Sequence, residues 1–320
     1  MTYVFPVPRH RRLTPARCKV LSRRSDRLVN GFEQRGITVP QSSRLRREVR
    51  LLEGIANGRA FPADQKTRLA VGNAARDAHE FEAIGKLVGR QRALELAADL
   101  QQALDGTPER LEKSRTPYRF QSQLWISSVF HSAGVALKRP KTTATKSPDF
   151  LIDIGATTYG LEVKRPLRGD TAIRRAVRDA VDQLREYGVI GGVALDVSDC
   201  LPQTMLQQYR ADRNEPPYAL TDADFQKLYR GAEDLLIDSE CRKILPYINS
   251  IFFLIVYATG WRWFNKGPSG PELFAFHQFG TFVTTKGNLA YWHADAIRKT
   301  YERGLKKIGL FVTRESYEQI

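Results

Sequence analysis

The spacing of apolar residues changes along this 320-residue chain, from the interval of three or four typical of helices to the alternation typical of strands. Phe81, Ile84 and Leu87 illustrate the helical spacing, which predicts an all-helical region over residues 1–115. In the remainder, short runs of β-branched and aromatic residues alternate with helical stretches. The pattern predicts an α/β protein whose second part, residues 116–320, is a mixed α/β domain.

Breaks in the pattern predict where these parts join. Gly106-Thr107-Pro108 and Thr116-Pro117 interrupt the helical spacing, so the join is expected within residues 106–118. Pro202 and the Pro216-Pro217 pair mark a loop-rich stretch. They predict an insertion of loop and helix near residues 200–245.

A β-hairpin is predicted around Gly155-Ala156, because two runs suited to strands flank this pair. Glycine at the first central position of a two-residue loop suits a type II′ turn, and the turn fixes the pairing register. With that loop, Ile154 faces Thr157, and counting outward places Asp149 opposite Glu162.

Alternation along the two strands divides the hairpin into an apolar face and a polar face. The apolar face holds Phe150, Ile152, Ile154, Tyr159, Leu161 and Val163, and the polar face holds Asp149, Asp153, Thr158, Glu162 and Lys164. Two opposed carboxylates repel each other unless a cation lies between them or one takes up a proton. Hard oxygen ligands of this kind suit Mg²⁺ or Mn²⁺. The alternative interpretation is a solvated cluster of charges without a metal.

The sequence Pro148-Asp149, followed after a dozen residues by Glu162-Val163-Lys164, resembles the signature of the PD-(D/E)XK nuclease superfamily. The resemblance implies that Asp149, Glu162 and the Val163 carbonyl hold the metal. It also implies that Lys164 positions the attacking water or stabilises charge on the phosphate. The metal would acidify that water and neutralise the developing oxyanion.

The elements around the hairpin suit the restriction-endonuclease-like fold of that superfamily. A helix is predicted from Phe120 to Ala133, and another starts at Asp170 or Thr171 and ends at Gly188. Strands are predicted at Val135-Ala136-Leu137, on both sides of the hairpin turn, at Val189–Val197 and at Ile251–Tyr257. The expected core has the order αβββαβ and a mixed central sheet.

Three further residues are candidates for supporting roles. Gln183 and Tyr187 resemble the Gln-x-x-x-Tyr element of RecB-like nucleases, although a helix end packed on the sheet would have the same pattern. Many relatives also carry a glutamate on the helix before the hairpin, where this chain has Gln123. Gln123 would be a neutral ligand or act through water, so the number of metal ions stays open.

Basic residues exceed acidic ones, with 50 Lys and Arg against 35 Asp and Glu and a formal charge of +15. Residues 1–60 hold 14 basic and 4 acidic residues, a surplus of 10, which leaves +5 for the rest of the chain. This balance favours a polyanionic partner, DNA above all. The predicted phosphate contacts are Arg46, Arg47 and Arg50 on a helix that Ser43 caps, and Lys138, Arg139, Lys141, Lys146, Arg165 and Arg168 around the hairpin. The alternative interpretation of each residue is a solvated surface charge that contacts no phosphate.

Several classes of protein are disfavoured. Residues 1–12 lack the apolar core of a signal peptide, and no apolar run approaches the ~20 residues of a membrane span, so a cytoplasmic protein is expected. Three scattered cysteines and five histidines show no ligand spacing, and no phosphate-binding loop or nucleophile elbow is present. The aromatic stretch around Trp261 and Trp263 fits either a buried strand pair or a platform for unpaired bases.

The sequence therefore predicts a Mg²⁺-dependent deoxyribonuclease, an endonuclease acting on duplex DNA, which by resemblance would leave a 5′-phosphate. One alternative is a nucleic-acid-binding or assembly subunit of the same fold with a vestigial acidic trio. Another is a nuclease selective for junctions or single strands. A homodimer is expected only by analogy with relatives that cut both strands. Restriction, phage defence, repair and mobile-element processing all remain open as settings.

Overall fold

Eight strands form one mixed sheet in the part of the chain that the structure describes. The computed structural model describes residues 2–5, 10–58, 65–88, 93–106, 115–141, 146–166, 170–198, 251–265, 271–284, 288–309 and 315–316. Its strands are β1 (Thr2–Phe5), β2 (His10–Leu13), β3 (Phe150–Ile154), β4 (Thr157–Lys164), β5 (Gly191–Asp196), β6 (Ile251–Asn265), β7 (Pro271–Thr284) and β8 (Glu315–Ser316). Their order is β3-β4-β5-β6-β7-β1-β8, and β2 pairs with β7. The β4–β5 and β5–β6 pairs are parallel, and the others are antiparallel.

Helices cover both faces of this sheet in the described part of the chain. They are α1 (Pro15–Glu33), α2 (Arg44–Ala56), α3 (Gln65–Val88), α4 (Ala93–Leu104), α5 (Arg115–Ser132), α6 (Asp170–Tyr187) and α7 (Asn288–Lys307). One core contains Phe81 of α3, Leu124 of α5 and Tyr301 of α7 together with Phe150 and Leu161 of the hairpin. On the opposite face, the apolar stripe of α6 packs on β5 and β6. The prediction of an α/β protein with a mixed sheet is confirmed.

The helices before and after the hairpin lie close to where the sequence predicts them. The predicted helix starting at Phe120 begins at Arg115, so Pro117 falls in the first turn, where its missing N–H costs nothing. The second predicted helix is α6, and Gly188 follows it with a φ of +74°. The division near residues 106–118 stays a prediction, although helices from before it share one core with the hairpin.

The prediction that residues 1–115 are all helical is wrong. Strands β1 and β2 pair with β7, and their partners lie more than two hundred residues away along the chain. The spacing of apolar residues within a segment does not indicate which distant strand that segment pairs with. Four helices, α1 to α4, do occupy most of the region that the structure describes there.

The predicted strand at Val135-Ala136-Leu137 is also absent. The chain makes a single antiparallel bridge at Lys138, whose N–H and C=O bond to Leu151 at 3.0 and 2.8 Å. Pro140, two residues further on, has no N–H to donate to the next rung of a ladder. The proline therefore limits the pairing at this edge of the hairpin to one bridge.

Two further predictions can be compared with the structure only in part. The predicted insertion near 200–245 lies outside them, as does Arg168. The aromatic stretch forms strands, because Trp261 and Trp263 of β6 pair with Ala275 and Leu273 of β7. The strand pair is confirmed, and stacking of unpaired bases there stays a prediction.

A buried arginine ties the N-terminal helices to α5. Arg44 of α2 is fully buried and pairs with Asp77 of α3. Its guanidinium also donates to the Ala103 carbonyl oxygen and to Gln121 Oε1, both at 2.6 Å, and lies 4.5 Å from the centre of the Tyr118 ring. One cation thus connects four helices, and two of its partners, Tyr118 and Gln121, belong to α5.

We predict that Arg44→Ala destabilises the protein by about 3–5 kcal/mol, because Asp77 would keep a buried charge without its main partner. Chemical denaturation would measure the loss. The matched control is Arg50→Ala, which removes an exposed guanidinium from the same helix and should cost less than about 1 kcal/mol. A similar small loss for both variants would contradict the structural role of Arg44.

Candidate metal centre

The hairpin places Asp149 directly across from Glu162. Pairing runs from Ile154 opposite Thr157 to Phe150 opposite Leu161, the predicted register. Gly155 has a φ of +61°, which a glycine adopts without strain at the first central residue of such a turn. The register is therefore confirmed.

Side-chain to backbone hydrogen bonds fix the two carboxylates in this arrangement. The Asp149 N–H donates to Glu162 Oε2 at 2.9 Å, and the Val163 N–H donates to Asp149 Oδ2 at 2.9 Å. Each carboxylate is thus held by the backbone of the opposite strand. The two side chains have little freedom to move apart while the hairpin is folded.

The hairpin's apolar face is buried as predicted. Phe150, Ile152, Tyr159, Leu161 and Val163 belong to the core beneath α5, and Ile154 packs against them. The polar face is only partly open. At Gly160 it is so close to α6 that an added Cβ would lie 2.4 Å from Leu184. Asp149 and Glu162 are buried at one end of that face, and we call the cluster that they form with Lys164 the recess.

Lys164 completes the trio at the end of β4. Its ammonium donates to Glu162 Oε1 at 2.6 Å and to Gln183 Oε1 at 2.5 Å. The lysine side chain is 16% exposed, whereas Glu162 is fully buried. The three predicted residues thus lie together, with the glutamate innermost and the lysine reaching solvent.

Two glutamines hold the trio from either side. Gln123 on α5 donates from Nε2 to Asp149 Oδ1 at 2.7 Å. Gln183 on α6 accepts from Lys164, and its Nε2 lies 3.5 Å from the Ser147 carbonyl oxygen. Tyr187 lies one turn further along α6, half-buried, and no hydrogen bond joins it to the trio among the described residues. Of the predicted pair, the structure brings only Gln183 to the site.

Burial dominates the electrostatics of the recess. It raises the pKa of Glu162 to about 7, the Asp149 charge adds to the rise, and the ammonium of Lys164 opposes it. A second cation would remove the penalty of ionising both carboxylates. Two oxygen-donating carboxylates fit Mg²⁺ or Mn²⁺, which keep water as part of their coordination. No group of three or more His, Cys, Asp or Glu side chains suited to a metal occurs in the described part of the chain.

The predicted basic residues around the hairpin differ in their ion-pair partners and in their exposure. Arg139 donates to the Asp149 carbonyl oxygen at 3.1 Å and pairs with Asp99. The exposed Lys138 and Lys146 pair with Asp153 and Glu186, and Lys141 is exposed. Arg165 is 5% exposed and pairs with Asp196 at 2.9 Å, so it lies inside the fold.

The predicted arginines of α2 also make internal contacts. Arg46 donates from Nε to the Val39 carbonyl oxygen at 3.1 Å and pairs with Glu33. Arg47 donates to the Gly106 carbonyl oxygen, and Arg50 donates to that of Gln41 at 3.2 Å. These contacts connect loops to α2, and DNA binding by the three residues stays a prediction.

Sequence reasoning missed two charged groups, Asp196 and Arg119. Asp196 ends β5 and accepts hydrogen bonds from Ser122 Oγ at 2.6 Å and from the Ser198 N–H at 3.1 Å, besides pairing with Arg165. Arg119 of α5 lies 3.7 Å from Asp149 Oδ1. Its position four residues before Gln123 is a signal that helical spacing could have supplied.

Comparisons with known proteins yield no relative for this chain. No family model matches it, and no curated protein or solved structure does so either. Among the described helices, none combines the length and apolar character needed to cross a lipid bilayer. The geometry of the recess is thus the main guide to function.

We predict that Glu162→Gln stabilises the protein in EDTA at alkaline pH. The folded pKa lies above the ordinary value, so the folded state holds a proton that the unfolded state has released. Glu162 should therefore lower the free energy of unfolding of wild type as pH rises toward neutrality, and the variant lacks this contribution. Its advantage should grow to roughly 2 kcal/mol between about pH 5 and pH 8, measured by urea denaturation.

Asp153→Asn is the matched control on the same hairpin. Hydrogen bonds from Lys138 and Thr158 lower the pKa of Asp153, so its charge favours the folded state at neutral pH. The control should gain nothing as pH rises. A Glu162→Gln variant that is less stable than wild type at about pH 8 would show that the recess accommodates the charge without a cation.

Proposed function

We propose that this chain is a metal-dependent nuclease of the PD-(D/E)XK, restriction-endonuclease-like type that hydrolyses DNA phosphodiester bonds. The observation that carries the proposal is the opposition of Asp149 and Glu162, with the Lys164 ammonium 2.6 Å from Glu162 Oε1. The sheet supports it, because β3 and β4 are antiparallel, β5 is parallel to β4, and α5 and α6 cover opposite faces.

The recess suits a divalent cation of the hard type. Asp149 and Glu162 would hold Mg²⁺ or Mn²⁺, with the Val163 carbonyl as a further donor. When bound, the cation supplies Lewis acidity and neutralises charge on the phosphate. Ionised Glu162 is required for this binding, and its raised pKa means that deprotonation accompanies it.

Lys164 is placed to act on the phosphate or on the attacking water. Two of the three N–H donors of its ammonium bond to Glu162 and Gln183, which leaves one donor. The 16% exposure of the side chain gives that donor access to solvent and substrate. Gln183 therefore orients the ammonium, and Gln123 orients Asp149 in the same way.

Charge favours a nucleic acid as the substrate. The chain carries a formal charge of +15, and the basic side chains of Arg119, Lys138, Lys141 and Lys146 are exposed on or beside the hairpin. Such a surface attracts the phosphate backbone with little dependence on base sequence. DNA, and duplex DNA in particular, is the substrate that we propose.

A second candidate function is a nucleic-acid-binding or assembly subunit without catalysis. One observation favours it, because all four carboxylate oxygens of Asp149 and Glu162 already accept hydrogen bonds from protein donors. A cation would have to displace the Lys164 and Gln123 contacts in part. Metal-dependent cleavage separates the two candidates.

We predict that wild-type protein nicks or linearises supercoiled plasmid with Mg²⁺ or Mn²⁺ and does neither in EDTA. Asp149→Asn should abolish cleavage because it removes a charged ligand while keeping the shape of the side chain. The control is Asp153→Asn, which removes a carboxylate from the exposed end of the same hairpin and should cut like wild type. Gel electrophoresis over a time course would measure the rates. Equal cutting by wild type and Asp149→Asn would remove Asp149 from the reaction.

Lys164→Ala should lower the cleavage rate by about 10²–10³ while DNA binding persists, because the ammonium acts on charge that develops in the transition state. Single-turnover cleavage and an electrophoretic mobility shift would measure the two quantities separately. A variant that loses binding in proportion to cleavage would instead assign Lys164 to substrate affinity.

A further inference from the structure

Arg119 is an exposed cation that lies beside the two carboxylates. Its Nη2 atom lies 3.7 Å from Asp149 Oδ1, beyond hydrogen-bond distance, and its side chain is 54% exposed. Among the described residues, Asp149 is its one ion-pair partner. None of its five N–H donors makes a hydrogen bond to a described residue.

Arg119 contributes little to the stability of the recess. Asp149 Oδ1 already accepts from Gln123 at 2.7 Å, and Oδ2 accepts from the Val163 N–H. An exposed ion pair of this length is typically worth well under about 1 kcal/mol. Asp149 would thus keep its position and its hydrogen bonds without Arg119.

The other cations near the recess have defined internal partners. Lys164 bonds to Glu162 and Gln183, and Arg165 is buried against Asp196. Arg139 pairs with Asp99, donates to the Asp149 carbonyl oxygen, and lies 4.5 Å from the centre of the Phe150 ring. Arg119 differs from these three because it reaches the acidic end of the hairpin without a hydrogen bond to any residue in the described part of the chain.

Helix α5 fixes the position of Arg119 relative to the hairpin. Gln123 is one helical turn further along, and its contact with Asp149 holds this face of α5 over the hairpin. A guanidinium at that position can present two parallel N–H donors, the geometry that suits two oxygens of one phosphate. It would also offset the repulsion between a phosphodiester and the two carboxylates.

We propose that Arg119 binds the non-bridging oxygens of the phosphodiester that lies at the Asp149/Glu162 recess. This inference rests on the proposed nuclease function and names the residue that anchors its substrate there. The expected contact is with the backbone, so it gives affinity and position without base specificity.

Binding of a short fluorescein-labelled DNA duplex in EDTA, followed by anisotropy between about 50 and 200 mM salt, provides a test that does not depend on cleavage. Arg119→Ala should reduce the log–log salt slope by about 0.9, the value of one lost phosphate contact. Arg119→Lys should keep the slope because it keeps the charge. The control is Arg23→Ala, which removes an exposed charge from α1, a helix packed on α2 and α3, and should leave the slope at its wild-type value.

Cleavage in Mg²⁺ supplies the second measurement. Arg119→Ala should lower the single-turnover rate by about 10²-fold, and Arg119→Lys should also be slow because an ammonium cannot bind two oxygens in a fork. Thermal unfolding should show both variants as stable as wild type. An Arg119→Ala variant that matches wild type in slope and rate would overturn the role of Arg119 while leaving the nuclease intact. If wild type cuts no DNA, the nuclease proposal fails, and the slope still decides whether Arg119 contacts phosphate.

Discussion

The candidate site depends on two reciprocal hydrogen bonds across the hairpin. The Asp149 N–H bonds to the Glu162 carboxylate, and the Val163 N–H bonds to the Asp149 carboxylate. These bonds keep two like charges close together inside a recess where burial makes each charge costly. Lys164 offsets part of that cost, yet the pKa of Glu162 remains raised to about 7. The folded chain therefore maintains an arrangement that a divalent cation would stabilise.

Helix α5 connects this recess to the rest of the protein. Three successive residues each bond to a different group: Gln121 to the buried ions of α2 and α3, Ser122 to Asp196, and Gln123 to Asp149. The N-terminal helices thus support the helix that positions the site, and β1 and β2 extend its sheet. The basic N-terminal region is part of the structural frame of the recess.

The features that sequence could predict are those set by neighbouring residues. The turn at Gly155 and the alternation around it were sufficient for the register. Gln183 was a candidate only through the resemblance of Gln183 and Tyr187 to a short nuclease motif. Pairings between distant segments were not accessible. Lys164 aligns with Leu195, so Arg165 and Asp196 meet only through the parallel pairing of β4 and β5. The strands β1 and β2 were missed for the same reason.

The proposed function requires Asp149 and Glu162 to bind a divalent cation together. A crystal structure of protein soaked in Mn²⁺, with the metal located by its anomalous scattering, would test this binding. We expect a peak about 2.1 Å from oxygens of both carboxylates, with the Lys164 ammonium displaced toward the substrate side. A map with no peak between the two carboxylates, and with the Lys164–Glu162 contact unchanged, would show that the two carboxylates do not bind the cation.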